Sequence, residues 1–273
     1  MRITISVDIE GVAGVCEAAQ GVRGNSEYES ARRLMSEEAN AAIRGAFSGG
    51  ASEVVVADSH GMMRNLLAEE LDPRARIISG KPRPLSMIEG VQATDAGIVL
   101  IGYHAGANHR GVLAHTISGQ AFRQITINDV HASETTLFAG YASEIGVPLL
   151  AVSGDDALAC EVGSQFPSCQ CIVVKQALGA AMCNSLSPVK ARELIEKKVK
   201  QAVSNAAGMK ADAPTKPPLH VKVDLNKQIF ADAAELVPTL HRSGAQQIEF
   251  TADSHKSAIG ILSTLALLAK ALA

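Results

Sequence analysis

Two periodicities alternate along the chain. Residues 2–8 (RITISVD) alternate apolar with polar and run into Gly11, which predicts a strand ending in a loop. Residues 26–47 carry apolar positions at helical spacing and are closed by Gly49-Gly50. A strand over 53–58 (EVVVAD) follows, then a Gly-Met-Met-Arg loop and a short helix near 65–70. The run GIVLIGY at 97–103 is continuously apolar, the mark of a strand covered on both faces. Downstream the pattern predicts strands at 123–128, 147–152 and 170–175, alternating with helices at 133–145, 155–165 and 187–206. Segment 208–218, rich in Pro, Lys and Ala, reads as a linker. Beyond it, strand 219–225, helix 228–236, strand 246–251 and helix 254–272 form a compact tail.

Strand–helix alternation of this kind predicts an α/β fold: an open, largely parallel sheet flanked by helices, with a smaller C-terminal β-α-β-α subdomain. The expected division is a catalytic unit over 1–207 and a subdomain over 219–273. No long repeat is present, but Ala-Asp-Ser-His occurs twice, at 57–60 and 252–255. The second copy precedes a helix, where Asp253 or Ser254 suits an N-cap, so it reads as capping.

Composition narrows the setting. With 273 residues, 47% of them hydrophobic, the chain can build a large core, and the 3% aromatic content and absence of Trp make it an aliphatic one. A formal charge of −3 gives no electrostatic reason to expect nucleic acid or an anionic membrane as partner. No stretch approaches the roughly 18 apolar residues of a membrane span. The first residues read as a strand broken by Asp8 and Glu10 rather than as a signal peptide. Five cysteines without C-x-x-C spacing read as reduced thiols of a cytoplasmic protein.

The chemistry sits at the strand ends. In S-V-D-I-E-G (6–11), Ser6, Asp8 and Glu10 are two apart and project from one strand face. Carboxylates so close repel one another unless a cation or shared proton compensates. Taken alone the pair also suits a solvated strand end. Asp58 and His60 close the next strand, and His104 follows the one after, flanked by Gly102 and Gly106. A lone histidine at a strand end is most often an ordinary polar residue. Three core-type strands in succession, each ending in Asp, Glu or His, bring those groups to one edge of a parallel sheet, where such folds bind ligands. Mixed carboxylates and imidazoles suit Zn²⁺, with Mn²⁺ or Co²⁺ as substitutes. Four or five donors exceed the three that one catalytic zinc takes, so a two-metal site with a bridging carboxylate is accommodated. Glu134 reads equally well as an acid at a helix N-terminus. His109, His115, His131 and Asp129 are loop residues; Asp58 and Ser6 could orient ligands, and Lys175 reads as a surface lysine or a contact for a substrate carboxylate.

These segments resemble the zinc-dependent D-aminopeptidase family. The resemblance rests on S-V-D-I-E-G, D-S-H at 58–60, G-Y-H-A at 102–105, His115 and I-N-D-x-x-x-S-E at 127–134. It extends through M-S-E-E-A-N at 35–40, S-G-K-P-R-P-L-S-M-I-E-G at 79–90 and S-G-D-D at 153–156, and is weakest over the C-terminal tail. It implies two zinc ions per subunit, with Asp8 bridging and Glu10, His60, His104 and Glu134 completing the ligand set. It also implies a catalytic His115, short peptides with a free N-terminal D-residue as substrates, and a ring-shaped homo-oligomer. Two other readings keep the metal: a phosphoesterase using Arg64, Arg110 or Arg123, and a non-catalytic metal- or peptide-binding module.

Overall fold

The computed structural model describes residues 1–273. The elements in order are β1 (Arg2–Val7), α1 (Tyr28–Ser48), β2 (Glu53–Asp58), β3 (Arg76–Ile78), β4 (Gly97–Ile101), β5 (Phe122–Ile127), β6 (Val130–His131) and α2 (Glu134–Glu144). Then come β7 (Leu149–Asp155), α3 (Asp156–Gln165), β8 (Gln170–Gly179), β9 (Met182–Ser185) and α4 (Pro188–Ser204). The tail is β10 (Leu219–Leu225), α5 (Gln228–Ala234), β11 (His241–Gly244), β12 (Gln247–Ala252) and α6 (His255–Ala271).

The expected open, largely parallel sheet is present. Its seven strands run β3-β2-β1-β4-β7-β8-β9, and every neighbouring pair is parallel except the β8–β9 hairpin. From β1 the chain winds outward to β2 and β3, then returns to β4 on the other side. The reversal between β1 and β4 opens a crevice at their carboxyl ends. Both faces of this sheet are buried. Ile3, Ile5, Val54, Val56, Val99 and Ile101 pack under α1 and α4, while Ile98, Leu100 and Val152 pack toward α2 and α3.

The second sheet is antiparallel, in the order β11-β12-β10-β5-β6. It carries the expected tail with one additional strand, β11, and α6 packs between its apolar face and α2. This sheet takes strands from both sides of the 207/219 division, because β5 and β6 pair into it through β10. The sheet boundary and the expected domain boundary are therefore different lines. The segment expected to be helical near 65–70 is a single 3-10 turn, Ala68–Glu70.

Candidate metal centre

Three neighbouring parallel strands deliver the site. Asp8 and Glu10 follow closely on β1, His60 on β2 and His104 on β4. The loops after β1 and β4 lie against each other without room for side chains: a Cβ on Gly11 would sit 1.8 Å from the Tyr103 carbonyl oxygen, and one on Gly102, at φ +69°, 2.2 Å from that of Asp8. Glycine at both positions brings the Asp8 and His104 backbones together. Glu134 arrives from elsewhere, as the first residue of α2 behind the N-cap Ser133. His115 comes from the loop between β4 and β5.

The structure gathers all six of these residues into one cluster. The Asp8 oxygens face different partners: Oδ1 lies 3.3 Å from His60 Nδ1, and Oδ2 lies 3.5 Å from His104 Nε2. Glu10 Oε2 is 3.0 Å from His60 Nδ1, and Glu134 Oε2 is 3.3 Å from His104 Nε2. The His115 ring stacks on His104 at a centroid distance of 4.2 Å, with its Nε2 3.7 Å from Glu134 Oε1. Side-chain exposure climbs from 1% at His104 to 23% at His115, so His115 is the group nearest open solvent.

Each of the three imidazoles is tied at its far nitrogen to a backbone carbonyl. His60 Nε2 donates to Gly21 O (2.9 Å), His104 Nδ1 to Ala105 O (3.0 Å), and His115 Nδ1 to Leu113 O (2.9 Å). A carbonyl oxygen only accepts, so the proton sits on the far nitrogen and, in the neutral ring, the near nitrogen turns a lone pair into the cluster. That is how metal-ligating histidines are held. His104 Nε2 and Glu134 Oε2 are also buried without any hydrogen-bond partner. Buried polar atoms are nearly always satisfied, and two orphans facing each other fit a cation. Two overlapping sets have donor atoms within 4.8 Å of one another, Asp8/Glu10/His104 and His104/His115/Glu134.

Electrostatics point the same way. Burial opposes ionisation of Asp8, but the imidazoles of His104 and His60 outweigh it and hold its pKa far below the carboxylate range. Burial likewise opposes charge on Glu134, and His104 reverses that too. His60 and His104 show the complement: burial disfavours their protonated forms, yet Glu10 and Glu134 respectively, together with Asp8, raise both pKa values well above 6.5. The cluster thus calls for positive charge at its centre, which protons or a metal can provide.

Supporting contacts explain the precision. Lys175, expected at the surface, is 2% exposed, and its Nζ donates to Glu10 O (2.5 Å), Val12 O (3.1 Å) and Val15 O (2.5 Å). A single buried ammonium therefore pins the loop that carries Glu10. Glu38 of α1 holds the same loop by accepting from Ala13 N, and burial pushes its carboxyl up to about 7. Asp155 caps α3 through Leu158 N and accepts from Val112 N, fixing the loop of His115. Ile117 N donates to Glu134 Oε1, which leaves Oε2 for the cluster. Only the folded loops bring these partners together; the S-G-D-D motif was the one sequence hint of Asp155.

Other candidates fall outside. Asp58 does not touch an imidazole: it accepts from Asn65 N and Nδ2 and from Leu66 N, shaping the loop after β2. Ser6 bonds Ser59, Tyr103 and the Met87 carbonyl rather than a carboxylate. Asp129 is a turn residue at φ +64° between β5 and β6. His109 pairs with Glu161 at 3.0 Å and meets His131 edge-on; it lines the larger cavity beside the cluster without joining the cluster. Arg123 pairs with Asp224, and none of Arg64, Arg110 and Arg123 lines either cavity that opens onto the cluster.

Residues 1–264 match the family model described as D-aminopeptidase. A D-aminopeptidase of Bacillus subtilis (strain 168) is 36% identical over 253 residues, 92% of each chain. The solved structure of the Zn-dependent D-aminopeptidase DppA from Bacillus subtilis, described as a self-compartmentalizing protease, superposes with a TM-score of 0.94 at 34% identity, covering 99% of this chain and 98% of that one.

Proposed function

The chain belongs to the D-aminopeptidase family, and from that premise we propose that it is a zinc-dependent aminopeptidase that hydrolyses short peptides with a free N-terminal residue, preferring a D-residue there. The observation that carries this reading is the set of three carbonyl-anchored imidazoles turned into a carboxylate cluster. Two ions would be held there, one by Asp8 with Glu10 and His60 and the other by Asp8 with His104 and Glu134. The opposed Asp8 oxygens support that division. Zinc held there supplies Lewis-acid polarisation of the scissile carbonyl and lowers the pKa of a water toward neutrality.

His115 works at the open side. Its Nδ1 proton is committed to Leu113 O, so Nε2 accepts a proton during attack and returns it to the leaving amine. His104, stacked beneath it, fixes the plane of the ring. We further propose a homo-oligomeric ring of subunits in the cytoplasm. The description of the Bacillus relative as self-compartmentalizing supports the assembly, and five free cysteines fit a reducing compartment. No helix is long and apolar enough to cross a membrane.

The test pairs metal-depleted with zinc-reconstituted protein against D-Ala and L-Ala p-nitroanilides and dipeptides, with zinc per chain counted in parallel. The expected result is zinc-restored release from the D-substrates at two ions per chain. Restored cleavage of L-substrates removes the D-preference, and silence on every amide with zinc bound overturns the peptidase reading. His115→Ala is expected to keep its zinc and lose turnover; loss of zinc makes His115 a ligand.

A further inference from the structure

Two cavities share the cluster, since Glu10, His60 and His115 line both. They differ in charge. The larger, about 550 Å³, adds one acid, Glu17, and no lysine or arginine. The smaller, about 390 Å³, takes in two more carboxylates of the cluster, Asp8 and Glu134, and outside the cluster adds Lys81, Arg83 and Lys270. Arg83 is committed to the carbonyls of Gly80, Asp58 and Ile78, where it ties the segment after β3 to the end of β2. Lys81 and Lys270 are paired with no carboxylate. Partial burial, and then the charge of Lys270, pull the Lys81 pKa down. Two ammonium groups that line one cavity, neither in an ion pair, are an arrangement that an incoming anion relieves.

A second feature lies on the same wall. Ser263, Ala266, Leu267 and Lys270 follow each other at i, i+3, i+4 and i+7, one stripe of α6 along the smaller cavity. The Ser263 hydroxyl on that stripe is buried and has no hydrogen-bond partner.

We propose that this wall receives the carboxylate end of the substrate, so that the enzyme selects dipeptides and tripeptides with a free C-terminus. Lys81 and Lys270 pair with the terminal carboxylate, and the amino end lies toward the Glu17 side. A cavity of this size sits at the small end of ligand pockets, which suits so short a chain. The inference rests on the aminopeptidase reading and adds to it the end of the peptide that is recognised.

The experiment compares D-Ala-D-Ala with its C-terminal amide on the zinc-loaded protein. The acid is expected to show a KM on the order of tenfold below that of the amide, the scale of one charge-assisted contact. The double substitution Lys81→Met/Lys270→Met should bring the ratio near one, and Lys270→Glu should invert it. Calorimetric titration of zinc-loaded His115→Ala with both peptides reads the same preference as a Kd, without turnover. Equal constants for acid and amide, or a preference untouched by the lysine substitutions, overturn the proposal. A Kd preference without cleavage of either peptide would instead overturn the hydrolase reading and leave the carboxylate wall standing.

Discussion

Ala-Asp-Ser-His at 57–60 and Ala-Asp-Ser-His at 252–255 are identical in sequence and opposite in use. The first copy ends an inner parallel strand, and its histidine faces Asp8 and Glu10 at the end of the neighbouring β1. The second ends β12 in the antiparallel sheet, where Ser254 caps α6 and His255 is buried between Glu144 (2.6 Å) and Thr215 (3.0 Å). Even the aspartates diverge. Asp58 is buried under three loop donors, while Asp253 lies exposed and accepts from the Ser254 and Ser257 hydroxyls. The tetrapeptide supplies the same groups twice. What surrounds its end decides whether the histidine faces two carboxylates or one carboxylate and a hydroxyl.

Exchanging the histidines tests this most severely. His60→Ala is expected to lower zinc affinity by more than about a hundredfold and abolish peptide turnover, since even outer partners of metal ligands cost that order. The fold should persist, because His60 is not part of the apolar core. His255→Ala should do the reverse: zinc content and kcat/KM unchanged, with stability reduced by about 1–3 kcal/mol as Glu144 and Thr215 lose their partner. Zinc stoichiometry and thermal melts on the two variants give the answer. Zinc loss in His255→Ala would erase the contrast.

Lys175 sharpens the comparison next, because only the first copy faces a loop clamped by a buried cation. Lys175→Met leaves the carbonyls of Glu10, Val12 and Val15 without their donor. Zinc affinity is expected to fall by about tenfold to a hundredfold, the range for groups that orient ligands. Competition with a chelator of known affinity measures it, and an unchanged value would show that Glu10 is positioned without the clamp.

The third test uses pH. Without metal, His60 and His104 keep their protons well above 6.5, against burial and because of the neighbouring carboxylates. Their contribution to stability is therefore complete below about pH 6.5, the unfolded value, and is lost as pH rises through the raised folded values. Zinc must displace those protons, so its affinity rises over the same interval by up to about tenfold per pH unit per proton. The gap in Tm between zinc-loaded and metal-free protein should widen from pH 6 upward. A gap independent of pH would mean that zinc displaces no proton from these rings.

How far all this could be read beforehand depends on the element. The ends of β1, β2 and β4 were legible because parallel strands in a doubly covered sheet are continuous apolar runs, and such strands end on one edge. Glu134 carried two true readings: it opens α2 behind its cap, and from there it reaches His104. β5 was read only as one strand of the α/β alternation, and it pairs antiparallel with β10. After a bulge at Arg123 its burial alternates, with Gln124 and Thr126 wetter than Ile125 and Ile127, as in β10. That period marks a one-sided antiparallel sheet, and the sequence carries it only over residues 124–127. Lys175 was not legible. A lysine in an apolar strand gives no sign of the three carbonyls that reach it from more than 150 residues away. Strands β3, β6 and β11, at two to four residues, are too short to show any period.

The smallest expected effect separates the serines. Ser254 accepts from Ser257 N at 3.2 Å, and Ser254→Ala removes that N-cap from α6 at a cost of about 1 kcal/mol. Kinetics should not follow, because the cap is remote from the cluster. Ser59 instead shares a buried network with Ser6 Oγ (2.6 Å) and the Met87 carbonyl (2.9 Å), and Ser6 also bonds Tyr103, the residue next to His104. Ser59→Ala should therefore cost a similar free energy of about 1 kcal/mol and also shift kcat/KM, by a few-fold at most, since it loosens the packing between His60 and His104. Melting curves alone would not tell the two variants apart. A kinetic change in Ser59→Ala without one in Ser254→Ala would carry the difference between the copies from the histidine to its neighbour, and equal kinetics would confine it to the histidine.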